Sequence, residues 1–140
     1  MDKQQVLFLC TGNSARSQMG EALLRHHADD RFDVYSAGLE PKGINPYTIR
    51  VMDEIGIDIR NQTSDSVQKY MGEMYFNYAI TVCSDADKQC PHALWSRGIK
   101  LHWPFDDPAS AEGTDEQILA KFREIRDQID AQVQQWIESI

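Results

Sequence analysis

The chain is poor in cysteine and basic residues and lacks a long hydrophobic run, and each shortage excludes a class of protein. Three cysteines in 140 residues are an odd number, so they do not form the paired disulfide framework of a small secreted domain. No stretch approaches the ~18 consecutive apolar residues of a membrane-spanning helix. The first residues show no signal-peptide pattern. We therefore expect a cytoplasmic protein that does not act on a membrane.

Acidic residues outnumber basic ones, 22 to 14, which gives a formal net charge of −8. This charge disfavours nucleic acid as a partner. Any anion must instead be held by groups at contact range, because fields are screened within about 8–10 Å. At 140 residues the chain is long enough for one domain over residues 1–140, and its apolar fraction of 41% is ordinary for a globular protein. We expect it to act as a monomer.

Short apolar runs alternate with helical patterns along the chain. Strands are predicted at 6–9, 32–37, 78–82 and 100–103, and helices at 17–28, 45–56, 64–72 and from 114 onwards. This alternation predicts right-handed βαβ crossovers. The predicted fold class is therefore α/β, a three-layer sandwich with a small four-stranded parallel sheet and helices on both faces. Ligands of such sheets bind beyond the carboxyl ends of the strands.

Two helix starts carry specific signals. Asn45 before Pro46 is typical of an N-cap followed by proline at the first helical position. Thr114 and Gln117 fit a capping box at the start of the last helix. An apolar stripe then follows at helical spacing and predicts a core-facing surface rather than a site. It consists of Ile118, Phe122, Ile125, Ile129, Val133 and Trp136.

The segment between the first strand and the first helix has the composition of an oxyanion-binding loop. Small residues let successive backbone N–H groups turn towards an anion, and the helix N-terminus adds free N–H groups. Cys10 supplies a nucleophile, and the guanidinium of Arg16 can donate two parallel hydrogen bonds to oxygens of the anion. The spacing alone is common, but its place between strand and helix is specific. The predicted oxyanion-binding residues are Thr11, Gly12, Asn13, Ser14, Ala15, Arg16 and Ser17.

Two loop serines have alternative roles that are compatible with each other. Ser14 and Ser17 either donate hydrogen bonds to the Cys10 thiolate or cap the helix that follows. Asn13 readily adopts the left-handed conformation and is expected to shape the loop.

Attack on an oxyanion requires a proton for the departing oxygen. Asp107 is the predicted general acid, because Pro108 restricts it to extended conformations that can aim its carboxyl at the loop. A loop aspartate is otherwise simply solvated. Asp106 is the less favoured alternative.

Cys83 and Cys90 are seven residues apart, whereas zinc sites usually space paired cysteines about two to four residues apart. In a helix this separation spans about 10.5 Å. A disulfide needs Cα atoms within about 4.4–6.8 Å, so the segment would have to unwind to form one. A redox switch is therefore available here, and two small buried hydrophobic residues are the alternative.

The chain resembles the low-molecular-weight protein tyrosine phosphatase superfamily, and more closely its thioredoxin-coupled arsenate reductases. The loop fits both branches. The pair Cys83 and Cys90 favours the reductases, as does Ala109, because the phosphatases typically place tyrosines after the Asp-Pro pair. The stretches that carry the resemblance are 10–19, 35–38, 56–59, 62–65, 82–87, 90–91, 102–103 and 106–109.

The resemblance implies a complete reaction cycle. Arsenate, or phosphate or sulfate in its place, binds the loop, Cys10 attacks arsenic and Asp107 protonates the leaving oxygen. Cys83 then attacks the Cys10 sulfur and releases arsenite, and Cys90 attacks Cys83. Thioredoxin reduces the resulting disulfide, with glutaredoxin as an open alternative. No tightly bound cofactor is implied, but some members bind potassium at positions that match Asn13, Glu21, Ser36 and Asp65.

Three positions depart from the family pattern. Ala15 stands where both branches usually carry another cysteine, Gly20 where alanine is usual, and Pro104 where the reductases tend to have glycine. None of these changes removes a residue of the implied cycle.

Two other functions remain open. One is a protein tyrosine phosphatase that uses Cys10, Arg16 and Asp107 alone, and this activity is also conceivable as a residual activity of a reductase. The other is a non-catalytic sensor of oxyanions or redox state. Cys83 and Cys90 separate the hypotheses, because a phosphatase does not require them.

Overall fold

The structure is a computed structural model that describes residues 3–140. Within that range, the chain forms four strands and five α-helices. In chain order they are β1 (Gln4–Cys10), α1 (Arg16–Ala28), β2 (Phe32–Gly38), α2 (Pro46–Asp53), β3 (Tyr78–Thr81), α3 (Ser84–Gln89), α4 (His92–Trp95), β4 (Ile99–His102) and α5 (Asp115–Ser139), with α3 and α4 following each other between β3 and β4. None of these helices is long and apolar enough to cross a membrane.

The four strands form one parallel sheet in the order β2-β1-β3-β4, which confirms the predicted fold class. Residues 6–9 of the central strand β1 are fully buried, so both faces of the sheet are covered. In register, Cys10 lies beside Gly38, and Thr81 lies between Leu9 and His102. The carboxyl ends of all four strands therefore meet at one edge.

The predicted helix signals are confirmed where they were strongest. The side chain of Asn45 accepts a hydrogen bond from the Tyr47 amide at the start of α2. Thr114 and Gln117 form both halves of a capping box at the start of α5. The apolar stripe of α5 is buried, except that Ile118 is only half-buried, and Trp136 stacks on Phe32 with 5.4 Å between ring centroids.

The predicted helix over residues 64–72 is wrong. Only Val67–Lys69 forms a single 3₁₀ turn. Ser66 has extended backbone angles because it pairs with Gly38 in a parallel bridge, and the Gly38 amide donates to the Asp65 carbonyl at 2.8 Å. Pairing with the end of β2 leaves too few residues for a helix.

Candidate active site

The loop between β1 and α1 turns the carbonyl groups of residues 10, 11, 12 and 14 outwards. Each accepts a hydrogen bond from the neighbouring segment at 2.8–3.2 Å. Because the N–H of a peptide points opposite to its carbonyl, the following amides face the inside of the loop, where an anion can meet them. The donors are the amides of Leu39, Glu40, Lys42 and Asn45 and the hydroxyl of Thr48.

The sulfur of Cys10 lies at the centre of this loop and is almost fully buried. It is 2.8 Å from the Ser17 hydroxyl and accepts the Asn13 amide at 3.2 Å. The Asn13 side chain donates to the Ser17 oxygen at 2.8 Å, so the hydroxyl hydrogen of Ser17 is free to point at the sulfur. The Ser17 hydroxyl and the Asn13 amide therefore lie within hydrogen-bond distance of the Cys10 sulfur. Helix α1 has Ala15 at its N-cap without a side-chain hydrogen bond, so neither loop serine caps it.

Asn13 and Gly38 let the loop lie close to the end of β2. Asn13 is fully buried and has the left-handed backbone expected from the sequence, with φ of 47°. A Cβ atom on Gly38 would lie 2.8 Å from the Thr11 carbonyl oxygen and 2.9 Å from the Asn13 nitrogen. Any side chain at position 38 would therefore push the loop outwards. Sequence reasoning did not assign this role to Gly38.

Arg16 and Asp107 face each other across the mouth of the loop. The Arg16 side chain is 13% exposed, and its Nη1 donates to the Phe105 carbonyl at 3.0 Å. Its Nη2 is 3.8 Å from Asp107 Oδ2. The other Asp107 oxygen accepts the Ala109 amide at 3.0 Å and caps the 3₁₀ turn Pro108–Ser110. These contacts orient the carboxyl towards the loop.

The alternative acid, Asp106, points elsewhere. Its side chain is 82% exposed and lies 3.5 Å from the Lys121 ammonium. The structure therefore brings Asp107, rather than Asp106, to the loop.

One cavity of about 410 Å³ connects the loop with residues from distant parts of the chain. Cys10, Arg16, Cys83 and Asp107 all line it. The Cys83 sulfur is 3.4 Å from the Thr11 hydroxyl, which places a second thiol beside the loop. The cavity is therefore lined by two thiols, a guanidinium and a carboxyl group.

The second and third cysteines lie at the two ends of α3, and all three thiols are free. Cys83 is buried and caps the helix, accepting the Ala86 amide at 3.4 Å. Cys90 follows the last turn and is half-buried. Burial raises the pKa of the Cys90 thiol, and the Lys100 ammonium opposes part of that rise.

Two further residues support the loop without having been predicted to do so. Gln18 is fully buried and donates to the carbonyls of Asn13 and Thr63 at 3.0 and 2.9 Å. Lys42 lines the cavity, and its stem lies over Gly12. Gln18 lies within the stretch 10–19 that carries the family resemblance, but its role and that of Lys42 could not be predicted, because both depend on contacts between separate segments.

The oxygen-bearing side chains expected to hold potassium lie together behind the loop. The Ser36 hydroxyl donates to Glu21 at 2.5 Å and accepts from Asn13 at 2.9 Å, while the Asn13 amide oxygen accepts the Asp65 amide at 2.8 Å. Glu21, Ser36 and Asp65 border a second cavity. Carboxylate, hydroxyl and amide oxygens suit a hard cation, so the donor set fits potassium. Arg25 reaches the same cavity and pairs with Glu21 at 2.7 Å, which neutralises part of its charge.

The chain is similar to known proteins over nearly its whole length. Residues 5–140 match the family model described as low molecular weight phosphotyrosine protein phosphatase. An arsenate reductase of Halalkalibacterium halodurans is 45% identical over 139 residues, which is 99% of both chains. The solved structure of an arsenate reductase in the phosphate binding state is 33% identical, covers 98% of both chains and has a TM-score of 0.81.

A third similar protein is a thioredoxin-dependent arsenate reductase of Corynebacterium glutamicum. It is 27% identical with a TM-score of 0.73, and the alignment covers 98% of the present chain but 61% of that one.

Proposed function

The chain belongs to the low molecular weight phosphotyrosine protein phosphatase family, and from this premise we propose that it is an arsenate reductase. The reaction uses three thiols in sequence, those of Cys10, Cys83 and Cys90, and thioredoxin restores the reduced enzyme. We expect a cytoplasmic protein, because a reducing compartment keeps these thiols free, and we expect it to act as a monomer.

Arsenate binds in the loop, where the inward amides and the Arg16 guanidinium surround its oxygens. Phosphate and sulfate have the same tetrahedral shape and occupy the same place. The net charge of −8 opposes any anion at long range. The affinity therefore comes from these short-range donors.

Cys10 then attacks arsenic. The sulfur forms a bond to arsenic, and one oxygen leaves with a proton supplied by Asp107. The carboxyl of Asp107 suits this role because it lines the cavity and is aimed by Arg16 and the Ala109 amide. Ser17 and the Asn13 amide stabilise the thiolate before the attack.

Cys83 completes the reduction. Its thiolate attacks the Cys10 sulfur, the new S–S bond replaces the S–As bond, and the electron pair of that bond stays on arsenic. Arsenic(V) becomes arsenic(III) and leaves as arsenite, while two thiols have become a disulfide. Cys90 then attacks Cys83, frees Cys10 and leaves a Cys83–Cys90 disulfide for thioredoxin.

The placement of the Cys83 thiol in the wall of the Cys10 cavity carries this proposal. A phosphatase needs the loop and Asp107 but no second thiol there. The same loop and acid support residual hydrolysis of aryl phosphates, which is the second candidate function. The similarity to the thioredoxin-dependent enzyme of C. glutamicum favours thioredoxin over glutaredoxin.

We propose potassium only as a secondary ligand. Asn13, Glu21, Ser36 and Asp65 would hold it, and it would supply positive charge behind the loop. The reaction steps use the side chains of the chain itself and no tightly bound cofactor.

The test is arsenate turnover coupled to NADPH oxidation through thioredoxin and its reductase. The parent protein should turn over continuously. Cys83→Ser and Cys90→Ser should both lose sustained turnover, because each interrupts the relay, while both retain aryl-phosphate hydrolysis. Cys10→Ser should lose both activities.

Sustained turnover by Cys90→Ser with thioredoxin would contradict the three-thiol relay. A parent protein that hydrolyses aryl phosphates but produces no arsenite is a phosphatase. If the parent protein shows neither activity, the chain is a non-catalytic sensor, whereas any turnover that Cys10→Ser abolishes excludes the sensor. Repeating the parent assay with glutaredoxin and glutathione decides between the two reductants.

A further inference from the structure

A polar cluster outside the loop ties the middle of α3 to the sheet. The Asp87 carboxylate accepts the Lys100 ammonium at 2.6 Å and the Thr81 hydroxyl at 3.1 Å. Thr81 is fully buried, and its hydroxyl is also 2.8 Å from His102 Nδ1. Lys100 donates a second hydrogen bond, to the backbone carbonyl of Asp87 at 3.2 Å. Both the side chain and the backbone of Asp87 are thus fixed to β3 and β4.

This cluster is charged and partly shielded from water. The side chains of Lys100 and Asp87 are 27% and 30% exposed. Hydrogen bonding by Lys100 is the largest contribution that lowers the pKa of Asp87, so the carboxylate is ionised at neutral pH.

The cluster lies between the two cysteines at the ends of α3. While α3 is helical, Cys83 and Cys90, which are seven positions apart, are separated by about 10.5 Å. A disulfide requires Cα atoms within about 4.4–6.8 Å, so forming it unwinds α3. Unwinding moves the Asp87 backbone carbonyl and carboxylate away from Lys100. The contacts are present in the dithiol form, and we expect the disulfide form to lack them.

We propose that Lys100 is a positioning residue that holds the dithiol form of α3 through Asp87 and so opposes formation of the Cys83–Cys90 disulfide. The role of this restraint in the catalytic cycle rests on the proposed function. It keeps Cys83 at the Cys10 cavity until the Cys10–Cys83 disulfide has formed, and it sets how readily Cys90 then attacks.

The test is the equilibrium of the Cys83–Cys90 pair with glutathione, measured in a Cys10→Ser background. The dithiol and glutathione disulfide give the protein disulfide and two molecules of glutathione. Lys100→Met should increase the equilibrium constant for disulfide formation about fivefold, which lowers the reduction potential by about 20 mV. Lys100→Arg keeps the charge and should stay within about twofold of the parent.

Two controls separate this role from a general loss of stability. Lys88→Met removes a lysine of α3 that makes no ion pair with residues 3–140, and it should leave the equilibrium unchanged. Asp87→Asn should give a shift like that of Lys100→Met, and the two effects should not add in the double variant. If the Lys100→Met variant does not fold, the glutathione equilibrium of the Asp87→Asn variant alone tests the proposal.

Thermal unfolding of both redox forms gives a second readout. Lys100→Met should lower the melting temperature of the dithiol form and leave that of the disulfide form unchanged. An unchanged glutathione equilibrium, or an equal loss of stability in both forms, would overturn the proposal. Neither measurement contains arsenate, so the two proposals are tested separately. If Lys100→Met shifts the glutathione equilibrium but the parent protein does not reduce arsenate, the restraint by Lys100 is supported and only the proposed function is contradicted.

Discussion

We expect the reactivity of Cys10 to depend on two buried side chains that do not themselves react. Asn13 donates to Ser17, and Ser17 is thereby left to donate to the sulfur. Cys10 and Arg16 could be identified from the sequence, because their spacing follows a strand and precedes a helix. The role of Gly38 could not, because it exists only where β2 meets the folded loop.

Ser17→Ala tests this chain of hydrogen bonds. The substitution removes a charge-assisted hydrogen bond to the thiolate, worth about 1.5–3 kcal/mol, so alkylation of Cys10 at pH 7 should slow about tenfold or more. The rate is measured with iodoacetamide in a Cys83→Ser, Cys90→Ser background. Ser139→Ala is the control, because that hydroxyl donates to the Trp136 carbonyl at the end of α5, away from the loop. Equal rates in both variants would refute the role of Ser17.

At the scale of elements, α2 is hydrogen-bonded both to the loop and to α5. The Asn45 amide at the start of α2 binds the Ser14 carbonyl at 3.0 Å. Glu54, just after α2, accepts hydrogen bonds from Arg123 and Arg126 of α5 at 2.8–3.1 Å. The starts of both helices could be predicted from the sequence, because their capping residues lie close to each other in the chain. The absence of a helix over 64–72 could not be predicted, because Ser66 pairs with Gly38 of β2 only in the folded protein.

Glu54→Gln tests the link between α2 and α5. Hydrogen bonding by Arg123, and then by Arg126, lowers the pKa of Glu54. The pair therefore stabilises the fold above the unfolded-state pKa of about 4.3, and this contribution is lost as pH falls through the lower folded-state value. The variant should lose about 0.5–1 kcal/mol of unfolding free energy at pH 7.

The difference between parent and Glu54→Gln should shrink as the pH is lowered from 7 to 3, when urea unfolding is measured at each pH. Glu112→Gln is the control, since Glu112 is exposed and has no ion pair within residues 3–140. A loss that is equal at all pH values would mean that packing, rather than charge, explains the effect.

At the scale of the whole molecule, the parallel sheet brings Cys10, Cys83 and Asp107 to one cavity although they are up to 97 positions apart. The alternation of strands and helices was enough to predict this edge of the sheet, and the resemblance to the family is confirmed. The distances across the cavity were not predictable. The contact between Arg16 and Asp107, for example, depends on how the segment after β4 returns over the loop.

A single turnover without any external reductant tests the three-thiol reduction most directly. Fully reduced protein is mixed with excess arsenate, after which arsenite and free thiols are counted and the disulfide is located by peptide mapping. We expect about one arsenite per chain, the loss of a pair of thiols, a Cys83–Cys90 disulfide and a free Cys10. Retention of all thiols with no arsenite, or a final disulfide that contains Cys10, would contradict the mechanism.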